Sequence, residues 1–191
     1  MAADPVLETE RLLLREFTAA DLDRLVELDS DPEVMRFIGD SKPTPREVIE
    51  TERLPHYLAT YRSHPGFGRW AAIEKATGAF LGWFALDPPE ALAPDTGPEL
   101  GYRLSRAAWG RGYATEGSRA LVAKAFTELG VERVWAQTMF VNTRSRRVME
   151  KTGLRHVRTF HQEWDEPLPG TEHGEVEYEL TRADWATQQP R

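Results

Sequence analysis

Apolar positions alternate near the N-terminus, take helical spacing over the next fifty residues, and return to alternation at residue 69, with two further helices later in the chain. Residues 9–17 (TERLLLREF) put Leu12 and Leu14 on one side and predict a strand. Thr18 and Asp21 form a capping-box-like start to a helix through Leu28. Asp31-Pro32 opens a second helix toward Phe37. Thr44-Pro45-Arg46-Glu47 opens a third, with Thr44 as N-cap and Pro45 at the first helical position, extending through Tyr61 and stopping near His64-Pro65-Gly66. Two strands follow at 69–74 and 79–86, joined by a short hairpin at 75–78. Prolines make 87–98 a loop. Residues 99–104 read as a strand. After it, 117–129 carries Leu121, Val122, Ala125, Phe126 and Leu129 on one helical face. Residues 131–141 are rich in β-branched and aromatic side chains and predict a long strand. Asn142 opens a helix that Gly153 closes. Strands at 154–164 and 175–180 flank a polar loop, 165–174. The expected architecture is α+β: an N-terminal strand, helices, an antiparallel meander, then β-α-β-α-β-β.

The chemistry concentrates where strand 99–104 passes through Trp109-Gly110-Arg111-Gly112-Tyr113-Ala114-Thr115-Glu116 into a helix. A helix beginning at a glycine-rich turn offers free backbone N–H groups and a positive dipole end, the physics of a phosphate site. A Walker loop would need Lys-Ser/Thr after its last glycine, and none is present. A dinucleotide fingerprint would need a glycine where Thr115 stands. A plain tight turn is the alternative reading of Gly110 and Gly112.

Length and composition narrow the partners. The 191 residues suit one domain, with a core over about 8–185. No cysteine is present, so disulfides, thiolate metal sites and cysteine nucleophiles are excluded. No metal site is expected, since His161 and His173 lack ligand spacing. The net charge of -7 argues against nucleic-acid binding and is compatible with a cationic substrate. No apolar run is long enough to span a membrane and no leader is visible, so the expected location is cytoplasmic.

Together, Thr9-Glu10-Arg11-Leu12, Gly101-Tyr102, the 109–116 turn and the Asn142/Ser145/Gly153 spacing resemble the GNAT superfamily of acetyl-CoA-dependent N-acetyltransferases, and within it the Rim branch. The resemblance implies a central, mixed, mostly antiparallel twisted sheet of about seven strands flanked by helices. It implies acetyl-CoA as co-substrate, with a protein N-terminus or small amine as acceptor, and homodimers are common in the branch. Gly110, Arg111, Gly112, Tyr113, Ala114 and Thr115 would then hold the coenzyme A pyrophosphate through their backbone. The backbone of Leu104 and Ser105 would pair with the pantetheine arm and offer an N–H to the thioester oxygen.

An amine acceptor must lose a proton to attack, and Glu99 is the base candidate, with an ordinary strand-edge glutamate as the equal alternative. Glu116 is a chemical rival whose place in the first helical turn points instead to its own helix N-terminus. Many superfamily members carry a tyrosine four residues before the helix-ending glycine as the acid; here that position is Met149. Ser145 takes its place as acid candidate beside the coenzyme sulfur, against the alternative of a residue satisfying free helix N–H groups. Asn142 caps this helix, contacts the pantetheine amides, or does both. Arg144, Arg147 and Lys151 form one helical stripe and, with Arg146 and Arg155, a basic cluster for the adenosine phosphates or a solvated face. Trp70, Trp83, Trp164 and Tyr178 stay unassigned between acceptor pocket and core. Loop 165–174, with Asp165, Glu166, Glu172 and Glu175 on or beside it, is a candidate selector of a cationic amine. The competing functional class is a GNAT-fold module that binds acyl-CoA without turnover.

Overall fold

The computed structural model describes residues 5–89, 97–163 and 167–188. Eight strands form one sheet in the order β1-β2-β3-β4-β5-β6-β8-β7. They are β1 (Pro5–Glu8), β2 (Leu12–Glu16), β3 (Gly68–Glu74), β4 (Phe80–Asp87), β5 (Glu99–Leu104), β6 (Arg133–Met139), β7 (Arg155–Phe160) and β8 (Glu175–Thr181). All neighbours are antiparallel except β5 and β6. The α+β class and mixed sheet match expectation. The eighth strand is β1, whose four residues bear too short an alternation to stand out.

The parallel junction determines the molecule's shape. β5 pairs with β4 along its whole length, from Asp87↔Glu99 to Gly82↔Leu104, and β6 pairs with β8 along its own. Between β5 and β6 the only register pair is Glu99↔Trp135, with Trp135 N–H donating to the Pro98 carbonyl at 3.2 Å. Beyond that rung the strands part.

Each face of the sheet has its own apolar layer. Helices α1 (Leu22–Ser30), α2 (Pro32–Met35), α3 (Arg46–Val48) and α4 (Leu54–Ser63) lie on one side, α3 and α4 joined by a π turn at Ile49–Arg53. There Phe17, Leu25, Leu28, Ile49, Leu54 and Tyr57 pack with Ala71, Trp83 and Ala85 of the sheet. On the other face, Leu121, Val122, Ala125 and Phe126 of α5 (Tyr113–Thr127) and Met149 of α6 (Thr143–Thr152) cover Leu14, Trp70, Phe84, Leu100, Val134 and Tyr178. A Cβ at Gly117 would sit 2.3 Å from the Phe84 ring, so glycine there lets α5 lie directly on β4. A last helix, α7 (Arg182–Gln188), stacks Trp185 against Phe126 with ring centroids 5.4 Å apart.

Several boundaries differ from the sequence reading. The third helix has Pro45, not Thr44, at its cap, with no side-chain cap bond, while the Thr44 N–H donates to the Asp29 carbonyl. Asp31 does cap α2, its Oδ1 accepting from Glu33 N–H at 3.0 Å, but the helix ends at Met35. Among the described residues no helix is long and apolar enough to cross a membrane.

Candidate active site

Where β5 and β6 part, a cleft of about 1160 Å³ opens, bounded by the 109–115 turn, α6 and the start of β8. Strand alternation sorts its side chains. Tyr102 reaches α6, and Leu100 and Leu104 pack under α5, so these three share one face. Arg103 reaches Asp29 of α1, so Glu99, Gly101 and Arg103 share the opposite face. The main chain alternates too. Ser105 N–H donates to the Leu81 carbonyl at 2.8 Å, so in antiparallel pairing residues 99, 101, 103 and 105 turn their N–H groups to β4. That of Leu100 points at the Trp135 rung, and those of Tyr102 and Leu104 face the open edge beyond it. Of the predicted pair, Leu104 therefore offers a free donor and Ser105 does not. The Leu104 carbonyl is taken by Trp109 Nε1 at 2.7 Å, which ties the turn to the strand end.

At the turn, Gly110 and Gly112 have φ of 72° and 84°, left-handed values that glycine adopts without strain. Gly112 caps α5 with no side-chain bond. Among the described residues, no carbonyl or side-chain oxygen takes a well-formed hydrogen bond from the N–H groups of Arg111 through Thr115. The turn thus presents unclaimed donors at the cleft, with Gly110, Gly112, Tyr113, Ala114 and Thr115 on its lining. The side chains go elsewhere. Arg111 pairs with Glu74 at 3.1 Å and the Tyr113 hydroxyl donates to the same carboxylate, so both side chains are committed to Glu74, and Arg111 is not on the cleft lining. Glu116 is not held by its own helix N–H groups. It accepts from Thr9 Oγ1 at 2.6 Å, Arg11 N–H at 2.9 Å and Arg11 Nε at 2.7 Å, so the 9–12 motif clasps the 109–116 motif.

Glu99 is half-buried on the cleft wall beside the Arg69–Asp87 ion pair (2.8 Å). Burial pushes its carboxyl up, to about 7; Asp87 adds to the rise and Arg69 opposes it. Alternation places Glu175, Glu177 and Glu179 on this same face, since Val176, Tyr178 and Leu180 enter the other core. Asp87 pairs with Arg69, Glu177 with Arg133 and Arg158, and Glu179 with Arg133. Among the described residues, Glu99 and Glu175 have no ion-pair partner. Glu175 lines the cleft at 7% exposure, its Oε1 is buried without a hydrogen bond, and burial raises its pKa.

Across the cleft, Asn142 caps α6, accepting from Ser145 N–H at 3.3 Å, while its Nδ2 donates to Thr138 Oγ1 at 3.0 Å. Capping is thus its visible role. Ser145 Oγ lies 2.9 Å from the Tyr102 hydroxyl. Arg144, Arg147 and Lys151 all line the cleft, as their spacing predicts. Arg146 does not. It turns to the Phe140 carbonyl (3.0 Å) and Tyr178 hydroxyl (3.2 Å), while Arg155 pairs with Asp184. Trp83 lines the cleft, Trp70 and Tyr178 are core, and Trp164, Asp165 and Glu166 lie outside the described residues.

A family model for the acetyltransferase (GNAT) domain matches residues 11–155, about three quarters of the chain. The chain belongs to the GNAT family. A GNAT relative from Aspergillus fumigatus, named FsC-acetyl coenzyme A-N(2)-transacetylase, is 42% identical over 98% of this chain and 80% of its own length. An uncharacterized N-acetyltransferase of Bacillus subtilis, YoaA, is 30% identical over 83% of this chain and 87% of its own. With these relatives, this GNAT protein is an N-acetyltransferase. Among solved structures, the ribosomal L7/L12 alpha-N-protein acetyltransferase RimL in complex with coenzyme A superposes with a TM-score of 0.78 at 14% identity, covering 93% of this chain and 98% of that one. The Vibrio cholerae spermidine N-acetyltransferase with CoA and spermine gives 0.75 at 15% identity, covering 93% and 99%. Both share the GNAT fold.

Among the described residues no cluster of His, Asp and Glu could hold a metal ion. The site residue that sequence reasoning missed in this GNAT chain is Tyr102, quoted above only as part of a motif. Its signal was its parity on β5, opposite to that of Glu99.

Proposed function

We propose that the protein transfers acetyl from acetyl-CoA to a primary amine by direct attack, and that it belongs to the Rim-type branch. The observation that carries the reading is Glu99, a carboxyl raised to about 7 by burial and standing where the sheet opens. A base with that pKa is half ionised near neutral pH and matched to taking a proton from an amine. The unclaimed N–H groups at 111–115 suit the pyrophosphate, and Arg144, Arg147 and Lys151 suit the adenosine phosphates. Acceptor and leaving group use opposite faces of β5. The amine comes from the Glu99 side, the Leu104 N–H donates to the developing oxyanion, and the sulfur departs beside Ser145.

The acceptor is best matched by an amine with a second basic nitrogen. Glu175 pairs with Met139 and Glu99 with Trp135, four residues apart on β6 or about 13 Å along the strand. A second cation near Glu175 would relieve a carboxylate that otherwise lacks a counter-charge. The relative's name specifies an N(2) nitrogen, and one neighbour's title names spermine, both consistent with a small amine.

Acetyl-CoA should be mixed with monoamines, diamines of increasing length and N-terminal peptides while thiol release is followed. Release with the longer diamines is expected. Binding of acetyl-CoA with no release for any acceptor would leave a non-catalytic acyl-CoA module, a role the transacetylase relative does not favour. Glu175→Gln is expected to raise KM several-fold for diamines and leave monoamines unchanged, about the loss of one charge-assisted hydrogen bond. Gly112→Val forces a β-branched residue to a φ of 84°, at a strain of about 1–3 kcal/mol. It is expected to weaken acetyl-CoA binding about tenfold in calorimetric titration, roughly 1.4 kcal/mol.

A further inference from the structure

Expelling a thiolate from a thioester builds negative charge on sulfur, and that charge needs a hydrogen-bond donor. Met149, buried on the cleft wall, offers none. On the face of β5 opposite Glu99, two hydroxyls meet. Tyr102 Oη lies 2.9 Å from Ser145 Oγ and 3.0 Å from the Ser145 carbonyl oxygen. Both residues line the cleft.

The Tyr102 O–H has one proton and two acceptors within reach. Donated to the Ser145 carbonyl, it leaves Tyr102 Oη as an acceptor that holds the Ser145 hydroxyl proton away from the cleft. Donated to Ser145 Oγ, it frees the serine proton to point outward. The two arrangements differ by the rotation of two hydroxyls, with no heavy atom displaced. Negative charge in the cleft selects the second, in which both O–H dipoles point along one chain toward it and polarise each other.

We propose that Tyr102 is a positioning residue whose hydroxyl turns from the Ser145 carbonyl to Ser145 Oγ as sulfur gains charge, aiming the serine proton at the leaving thiolate. This rests on the proposed acetyl-CoA reading and names a device within that site. The tyrosine supplies direction and does not give up its proton. Burial raises its pKa well above the ordinary tyrosine value, which makes it a poor acid and keeps it a donor throughout the working pH range. Its ring contributes separately, packing beside Phe84 at 6.4 Å between centroids, and phenylalanine preserves that packing.

The test uses Tyr102→Phe, Ser145→Ala and the double variant. The first readout is the ratio of dissociation constants for desulfo-coenzyme A and coenzyme A. Wild type is expected to prefer the sulfur-bearing ligand several-fold, and each single variant to lose that preference. The second is kcat for acetyl transfer to the best acceptor, expected to fall about tenfold in each single variant, about the loss of one hydrogen bond to charge. The double variant should fall no further than the singles. Retained preference and wild-type kcat in Tyr102→Phe overturn the proposal, and so does a double variant whose losses multiply. Equal and weak binding of both coenzymes by wild type would instead defeat the underlying acetyl-CoA reading.

Discussion

Glu99→Gln is expected to lower kcat by about 10²–10⁴-fold, the range for removing a positioned general base. Acetyl-CoA affinity should hardly change, because Glu99 faces away from the turn and from α6. The wild-type kcat/KM should rise with pH and level off above about 7, since the carboxylate is the active form and its pKa lies there. The variant should lack that limb. The same substitution has a second, opposite effect. An acid whose folded-state pKa exceeds its unfolded value destabilises the fold increasingly as pH climbs from 4.5 to about 7. Glutamine carries no charge to bury, so the variant should melt higher than wild type at pH 8 and nearly together with it at pH 4. Scanning calorimetry at the two pH values reads this. Full activity in Glu99→Gln would remove it from the reaction, and an unchanged melting temperature at pH 8 would deny its burial.

Asp29→Ala is expected to cost about 3–5 kcal/mol, the range for stripping one partner from a buried ion pair. Arg103 and Asp29 are 6% and 5% exposed and meet at 2.5 Å. Arg103 already has a buried Nε with no partner among the described residues, and it stacks on Trp83 at 5.1 Å. Without Asp29 its charge would be buried against a ring and little else. Urea unfolding should show the loss as a lower midpoint at unchanged slope. The double variant Asp29→Ala/Arg103→Met should recover much of it, because an apolar chain of similar volume does not need a counter-ion. If the double variant is as unstable as the single, packing and not charge is the cause. The pair anchors the strand that carries both Glu99 and the Leu104 donor, so activity should fall in the single variant and return with stability.

Motifs whose chemistry lies in the main chain were legible in the sequence. The two glycines at 110 and 112 announced a turn of unclaimed N–H groups, and the cap at Asn142 and stop at Gly153 fixed α6. The i, i+3, i+7 basic stripe put Arg144, Arg147 and Lys151 on the cleft. Side chains whose role depends on distant partners were not legible. Glu116 looked like a helix-dipole residue, yet Thr9 and Arg11 claim it from 107 and 105 residues away. Arg146 sits in the same cluster as its neighbours, but its helical angle aims it at Phe140 and Tyr178. Ser105 looked equivalent to Leu104 until the β4 register assigned its N–H to Leu81. Tyr102 and Ser145 are 43 residues apart, and only the crossing of α6 over β5 joins them.

One rung of β5/β6 pairing has a mechanical consequence. It divides the sheet into leaves of five and three strands, joined by that rung and by the shared core under α5 and α6. On the proposed reading, a ligand arm bonded to the open edge of β5 would lie between the leaves and bridge them. On that reading, bound donor would add to the resistance to unfolding by mass action.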